Sequence, residues 1–298
     1  MRTCSFSSLL LMTAALFTVS FTSNAVYLHG DETKGKQENS GDGTTVSFNS
    51  FQMAKRKHHH SKHELQFNDS NLMVNQVLSK SQTAFSSLNI GLRDVDFGYK
   101  SVHPKNHLYA VAGVDGGVIT ADEWLWKGLA RVEVPTKSWN MTSDSRYIMA
   151  FEGVYALTKA WSVFLGLGAE TGMRATNVQP IIGAQYTWND WIFHAVYPSP
   201  KIVYSGIKNY TFSLNIDTFF TAVRAHKVDG HKKGVAVYNG AGADFRIDYN
   251  FTKKISAWIS LGQTFNSTVK VGNRNFHDKK TRDIKSAMYS QFGISYAL

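Results

Sequence analysis

Disulfide scaffolds, helical membrane spans and general disorder are all excluded by what this 298-residue sequence lacks. It has one cysteine, Cys4, so no disulfide bond can form within the chain. It has only 5 prolines, and 18% of its residues are charged, against roughly 25% in an ordinary soluble domain. Beyond the N-terminus, no stretch approaches the roughly 18 apolar residues that a membrane helix needs. At 43%, the apolar content is too high for a wholly disordered chain.

The N-terminus has the pattern of an export signal over residues 1–25. Arg2 supplies a positive charge, and residues 9–19 form an apolar run that is broken only by two threonines. The small residues around Ala25 fit a signal-peptidase site, so we expect cleavage after this residue and removal of Cys4. A single membrane anchor is the alternative, but the run is shorter than the roughly 20 residues of a spanning helix.

A polar segment follows, and we expect residues 26–84 to be a His- and Lys-rich periplasmic arm that is mostly disordered. The segment shows no sustained alternation of apolar and polar residues. Its imidazoles could bind a transition metal, but carboxylate and cysteine partners are missing from the pattern, so we favour incidental contact over a selective site. The histidines concerned are His58, His59, His60 and His63.

From residue 85 to the C-terminus, apolar residues recur at every second position, which is the pattern of amphipathic β-strands. Tyr147, Met149 and Phe151 begin one such series. The pattern divides residues 85–298 into eleven segments, and we expect 10–12 strands. The segment 191–205 contains Pro198 and Pro200, so it either splits in two or bends at a rim.

Two architectures share this alternation: a soluble β-sandwich with its apolar face inside, and a transmembrane β-barrel with its apolar face in lipid. The apolar faces run to five or six positions, which means strands of 9–12 residues. Soluble strands usually have about 5–6 residues and tilted membrane strands about 9–11. Aromatic residues near the segment ends, such as Trp124, Trp161 and Tyr249, suit the lipid–water boundary. We therefore expect an all-β protein that forms a closed, antiparallel transmembrane barrel.

The last segment carries a family resemblance. Alternate positions are apolar up to the C-terminal residue, with Ser290 as the exception, and the set comprises Met288, Phe292, Ile294, Tyr296 and Leu298. This resembles the C-terminal strand of bacterial outer-membrane β-barrels, which ends in Phe or Trp where this chain ends in Leu. Residues 193–204 are similar to a segment of an uncharacterised outer-membrane barrel family. The resemblance implies insertion in the outer membrane by the barrel-assembly machinery, which would recognise this strand.

The positions between the apolar ones predict the inward face of such a barrel. A narrow interior must be filled or wetted, so opposite charges there would pair across strands. The network forms either a polar pore or ligand pocket, or a structural plug of salt bridges, which we favour. The candidate residues are Lys127, Arg131, Glu133, Glu152, Glu170, His194, Asp217, Asp244, Arg246 and Asp248.

The formal net charge of +10 suggests contact with anionic partners. Lipopolysaccharide and membrane lipid are the expected ones, although solvated loops would show the same charge; nucleic acid is not expected for an exported chain. One cationic group comprises Lys270, Arg274, Lys279, Lys280, Arg282 and Lys285. We expect a monomer without cofactor or catalytic residues, in a structural role or in passive passage of small solutes. The alternatives are a soluble sandwich that binds a ligand and a lipid-modifying enzyme.

Overall fold

The computed structural model describes residues 43–57, 64–99, 102–103, 105–137, 144–173, 175–228, 231–277 and 279–298. The predicted signal peptide and His58, His59, His60 and His63 lie outside these residues. No helix within the described ranges is long and apolar enough to cross a membrane. The strands are β1 Thr44–Lys57, β2 Glu64–Lys80, β3 Ala84–Tyr99, β4 Val102–His103, β5 Asn106–Ile119, β6 Trp124–Pro135, β7 Arg146–Ala156, β8 Trp161–Gly172, β9 Ala175–Trp188, β10 Trp191–Tyr197, β11 Lys201–Tyr204, β12 Tyr210–Arg224, β13 Lys227–Val228, β14 His231–Lys232, β15 Val235–Asn250, β16 Ile255–Gly272, β17 Lys280–Ile284 and β18 Met288–Ala297.

Fourteen of these strands form one closed antiparallel barrel. The ring runs β1, β2, β3, β5 to β12, β15, β16 and β18. It closes because β18 pairs with β1 from Thr45↔Ala297 to Met53↔Tyr289. Closure leaves no free sheet edge around the ring, as a barrel in hydrocarbon requires. The predicted closed barrel is confirmed, but the expected count of 10–12 strands is too low.

Two strands absent from our expectation, β1 and β2, account for most of the difference. The arm predicted over residues 26–84 to be mostly disordered is therefore wrong for Thr44–Lys57 and Glu64–Lys80, while residues 26–42 and 58–63 lie outside the described residues. On β2, Leu72 and Val74 are 45% and 39% exposed, whereas Leu65 and Phe67 are fully buried inside. Apolar side chains therefore point outward in one half of the strand and inward in the other half. This change of phase removes the sustained alternation from the sequence. The third extra strand comes from 191–205, which splits into β10 and β11 at Pro198–Pro200.

The outward face is apolar and exposed. Phe245, Ile259 and Phe292 are 50%, 53% and 42% exposed, and Phe212 packs beside Phe245 on the same outer surface. The predicted terminal-strand residues Met288, Phe292, Ile294, Tyr296 and Leu298 are also exposed on this face. A soluble sandwich would bury these side chains, so that alternative is wrong.

The two ends of the barrel differ. At one end, which we call the turn end, lie residue 43, Leu298 and short connections such as Asn189–Asp190. Aromatic rings form a ladder along this end, for example Trp124 on Trp126 at 5.3 Å and Trp191 on Tyr204 at 4.7 Å. The other end, which we call the mouth, carries the longer connections. In outer-membrane barrels short turns face the periplasm and long loops face outside, with aromatic girdles at the lipid boundary.

The mouth is closed by an inward-folded hairpin, residues 218–228 and 231–238, which we call the mouth hairpin. Its rings pack inside the barrel: Phe219 lies 5.3 Å from Phe51, and Tyr238 lies 5.4 Å from Phe67. Gly242 makes room for the Phe219 ring, because a Cβ atom there would lie 2.8 Å from it. The hairpin tip, β13–β14, pairs with β4 from the loop between β3 and β5. The interior at the mouth is therefore a packed apolar core.

The outward face makes a first prediction. Ile259 lies in the middle of the outward series on β16, between Ile247 and Phe292 on the neighbouring strands. The substitution Ile259→Arg should lower the free energy of unfolding by about 2–4 kcal/mol, because a charge at the bilayer midplane is poorly solvated. Urea unfolding of the barrel in lipid vesicles measures this loss, and heat-modifiable gel mobility reports the folded fraction.

Gln263→Arg is the control, since Gln263 lies on the same face of β16 toward the mouth. Its expected cost is about 0–1 kcal/mol, as for positions near the interface. Equal costs for the two substitutions would contradict the lipid-facing assignment.

Candidate functional site: the charged interior of the barrel

Beneath the mouth hairpin lies a buried group of three guanidinium and three carboxylate side chains, which we call the mouth cluster. Its formal charge is zero, and every member is almost inaccessible to solvent. Burial of ions is tolerated only when each is paired and hydrogen-bonded. The members come from five strands on one side of the ring: Asp69, Arg93, Arg131, Glu133, Arg146 and Glu170.

Glu133 is the centre of the mouth cluster. Its Oε2 accepts hydrogen bonds from Arg93 Nη1 at 2.5 Å and from Arg146 Nη1 at 2.9 Å. Its Oε1 lies 2.8 Å from Arg131 Nη2. One carboxylate therefore holds three guanidinium groups that would repel one another without it.

Asp69 and Glu170 complete the pairing at the two edges of the cluster. Arg93 binds Asp69 through two parallel bonds, from Nε at 3.0 Å and from Nη2 at 2.6 Å. Arg146 donates from Nε to Glu170. Two-point pairing of this kind fixes the guanidinium plane as well as its position. The cluster is consequently a rigid platform across the interior.

The platform holds the mouth hairpin. Arg93 Nη2 donates to Thr221 Oγ1 at 3.2 Å, and Arg146 Nη2 donates to the backbone carbonyl of Phe220 at 3.1 Å. Nearer the tip, Arg224 Nε lies 2.9 Å from Asp144 Oδ1. The hairpin is thus attached to the wall at β3 and β7 through side chains.

The short hairpin β10–β11 explains why these contacts form. The β11 ladder with β12 ends at Lys201↔Asn215, and Pro200 accepts one further bond, from the Ile216 amide. Beyond this point, none of the described strands pairs with β12 on that side. A buried carbonyl without a partner is costly, and Arg146 supplies the partner for Phe220.

A second polar region lines the interior nearer the turn end, on the wall formed by β6 to β10. Lys127 Nζ lies 3.0 Å from Glu152 Oε1, and both side chains are buried. His194 Nδ1 lies 3.0 Å from Gln185 Oε1, and its ring meets Phe164 edge-on at 4.9 Å. This wall therefore carries ionisable side chains of both signs.

The facing wall is acidic and hydrogen-bonded. Asp244 accepts bonds from Asn215 at 2.8 Å, Tyr289 at 2.9 Å and Gln291 at 3.2 Å. Asp217 accepts one from Ser199 at 2.9 Å.

On the same wall, Arg246 donates to Asp248 from Nε at 3.0 Å and from Nη2 at 2.5 Å. The Arg246 guanidinium also lies 4.1 Å from the centre of the Trp258 ring. One face and one edge of this guanidinium are thereby engaged, which orders the side chain.

All ten interior residues singled out from the sequence lie on inward-facing positions of the barrel wall. The structure joins Arg131, Glu133 and Glu170 in the mouth cluster, whereas Lys127 and Glu152 form a separate pair. The remaining five lie on β10, β12 and β15 in the region nearer the turn end. Their function stays a prediction.

Sequence reasoning missed three members of the mouth cluster. Asp69 lies in the segment expected to be disordered, and Arg93 lies in a segment, 85–99, whose facing is ambiguous in the sequence. Arg146 immediately precedes the apolar series that begins at Tyr147. Residues 69, 93 and 146 each lie an odd number of positions from an exposed residue on the same strand, namely Leu72, Leu92 and Tyr147. Because side chains alternate between the two faces of a strand, this spacing could have identified all three as inward-facing. Among the described residues, no group of three or more His, Cys, Asp or Glu side chains is placed to hold a metal ion.

Comparison with known proteins gives the fold. No protein-family model and no curated sequence matches the chain. An outer-membrane channel from Pseudomonas putida F1 superposes with a TM-score of 0.53 at 11% identity, covering 89% of this chain and 98% of that chain. The KdgM porin gives 0.40 at 8% identity, covering 85% and 99%. The translocator domain of autotransporter NalP from Neisseria meningitidis gives 0.42 at 11%, covering 89% and 91%. The fold is that of a bacterial outer-membrane β-barrel.

The mouth cluster makes a second prediction. Replacement Glu133→Gln leaves Arg93, Arg131 and Arg146 with two carboxylates, so one buried positive charge has no counter-ion. We expect a loss of about 3–5 kcal/mol in the free energy of unfolding. Urea titration of the refolded barrel in lipid vesicles measures it.

Glu64→Gln is the matched control, because Glu64 pairs with Lys55 at 2.6 Å on a partly exposed surface. Its expected cost is about 0–1 kcal/mol. A Glu133→Gln barrel as stable as the Glu64→Gln barrel would show that the mouth cluster does not hold the interior together.

Proposed function

We propose that this chain is an outer-membrane barrel that passes small polar solutes passively, performs no covalent chemistry, and is gated by the mouth hairpin. Its outward face suits hydrocarbon, and its interior carries ordered charged and amide side chains from Lys127 to Asp248. One protein of similar fold, from Pseudomonas putida F1, is an outer-membrane channel.

The observation that carries this proposal is the way in which the hairpin closes the mouth. On one side, the contacts that join β12 to the wall above Ile216 within the described residues are made by side chains. They run from Gln179 to Thr218, from Arg93 to Thr221, from Arg146 to the Phe220 carbonyl and from Arg224 to Asp144. On the other side it belongs to a continuous ladder with β15 and β16. Movement away from β7 therefore breaks side-chain contacts and the two-residue pairing of β13 with β4, while the long ladder of β12, β15 and β16 stays intact.

A bulge marks the place where the hairpin bends. The register of β15 against β16 shifts between Asn239 and Ala241, and Asn266 on the facing strand has a positive φ of 49°. β-Bulges increase local bending and often lie at barrel rims. The segment beyond this bulge is the part that fills the mouth, so the bulge is the expected hinge.

The apolar core at the mouth sets the resting state. Moving the hairpin outward exposes Phe219 and Tyr238, whose burial is worth roughly 1.5–3 kcal/mol for each large side chain. The closed state is therefore favoured, and openings are expected to be rare and brief. Solutes that pass must fit between the polar walls near Lys127 and Asp244.

A reversible crosslink makes a third prediction. Val102 on β4 and Val228 on β13 are directly paired, both are fully buried, and the described residues contain no cysteine. Val102→Cys with Val228→Cys should form a disulfide that ties the hairpin tip across the mouth. In planar bilayers, the oxidised double variant should open several-fold less often than the reduced one.

Each single cysteine variant serves as the control, since it should respond to neither oxidant nor reductant. Liposome swelling with small sugars and amino acids gives the same comparison for uncharged and charged solutes. Equal conductance and swelling in the oxidised and reduced double variant would refute the gate, and a barrel impermeable in both states would refute passive passage.

A further inference from the structure

The outer surface near the mouth has a positively charged sector, which we call the basic rim. It lies on the mouth ends of β1 and β16 and on the connections that flank β17. Its members are Lys55, Lys270, Arg274, Lys279 and Lys285. Arg56, Lys280 and Arg282 lie at the same end, but they pair with the buried residues Leu65, Val271 and Val269 and so share the inward face. Within the described segments 52–56, 64–66, 266–277 and 279–287, the acids are Glu64 and Asp283. The sector is therefore strongly cationic even after both acids are counted.

The topology places these residues side by side. β17 pairs with the mouth half of β16 from Ser267↔Ile284 to Val271↔Lys280, and β18 pairs with the rest of β16 on the same side. β1 pairs with β18 up to Met53↔Tyr289, so Lys55 continues beside residues 285–287. One surface thus carries cations from three neighbouring columns of the wall.

The basic rim adjoins the lipid-facing surface. Met288 is 51% exposed, and Lys285 precedes it by three residues, about 10 Å along the chain. Phe265 is 37% exposed, and Lys270 follows it by five residues, about 16 Å along β16. Each headgroup layer of a bilayer is roughly 5–8 Å deep. Lysine side chains can extend along the surface toward that layer, so the rim meets lipid headgroups and not hydrocarbon.

The balance of charge differs around the mouth. On β3, the residues that follow exposed Leu92 toward the mouth on the same face are Asp94 and Asp96. Exposed Lys105 and Lys137 lie near these two acids, so the outward surface there is less cationic than the basic rim. An anionic group is therefore attracted more strongly to the basic rim than to the surface beside β3.

We propose that the basic rim binds the phosphate groups of a glycolipid in the outer leaflet, whose acyl chains lie along the apolar surface of β16, β18 and β1. A phosphate monoester carries one to two negative charges and three acceptor oxygens, which suits clustered Lys and Arg side chains. The apolar surface next to the rim accommodates the chains of the same molecule, through Phe265, Met288 and Phe292. A free anion would use the cations alone, so the ligand class is a phosphate attached to a lipid.

The experiment uses the full mature barrel in nanodiscs with the long loops accessible. The probes are bisphosphorylated lipid A, the same lipid after enzymatic removal of its phosphates, and inorganic pyrophosphate. Binding is followed by displacement of a fluorescent lipid A analogue at two ionic strengths. We expect the wild type to prefer the phosphorylated lipid by at least about tenfold, with weaker binding at high salt.

Matched charge reversals locate the site. Lys270→Glu, Arg274→Glu and Lys285→Glu together should abolish the preference for the phosphorylated lipid. Lys159→Glu, Lys253→Glu and Lys254→Glu remove the same number of exposed charges at the turn end and should leave it unchanged. Heat-modifiable mobility verifies folding, and if the first set fails to fold, the same three positions changed to Gln are read in the same way.

Three results would overturn the proposal. The first is equal binding of phosphorylated and dephosphorylated lipid by the wild type. The second is a loss of preference in the turn-end set as large as in the rim set. The third is displacement by pyrophosphate as effective as by lipid A, which would indicate a site for free anions. None of these outcomes bears on conductance, so the passive-passage proposal stands or falls separately.

Discussion

The pairing of backbone groups governs this structure, because hydrocarbon provides no water to replace a missing partner. The pairing of β18 with β1 gives hydrogen-bond partners to the backbone groups of the two strands that would otherwise form free edges. The same requirement reappears at the mouth, where the short hairpin β10–β11 leaves β12 without a neighbour above Ile216. There the solution is different: the strand folds inward and Arg146 binds the Phe220 carbonyl. The shape of the interior follows from this one interruption of the wall.

Because the mouth hairpin folds inward, the interior has to accommodate both aromatic rings and charged side chains. The mouth core takes Phe219 and Tyr238 among the rings of β1 and β2, while the mouth cluster takes the edge of β12. Charges balance within the cluster, so the guanidinium groups can be dry and ordered without an excess charge. The barrel therefore has three layers inside: an apolar core at the mouth, an ion-paired platform beneath it, and a hydrogen-bonded polar region toward the turn end.

The sequence predicted those strands whose apolar side chains stay on one face along most of their length. In β7, β16 and β18 the apolar positions are outward along most of the strand, so alternation reveals both the strand and its lipid face. In β2 the outward apolar residues, Leu72 and Val74, have even numbers, whereas the inward ones, Leu65 and Phe67, have odd numbers. The two patterns overlap and leave a polar, irregular segment. A switch of the apolar residues from odd to even positions within one long strand is the signal that would have revealed the plugged mouth.

Parity alone also placed the interior residues on the inward face without saying which of them meet. Glu133 and Arg93 lie 40 residues apart, and Arg93 and Thr221 lie 128 apart. Such partners depend on strand register and on the inward fold of β12, which alternation does not encode. The short hairpin was visible in the sequence as Pro198 and Pro200, but its consequence for the neighbouring strand was not.

The central claim is that the apolar side of each strand faces hydrocarbon, and spin-label accessibility along β16 tests it most directly. Nitroxide labels at each position from Ala257 to Phe265, in reconstituted vesicles, report collisions with oxygen and with a water-soluble nickel complex. We expect high oxygen accessibility at Ala257, Ile259, Leu261, Gln263 and Phe265, with low values at the even-numbered positions between them. The reverse alternation, or none, would contradict it.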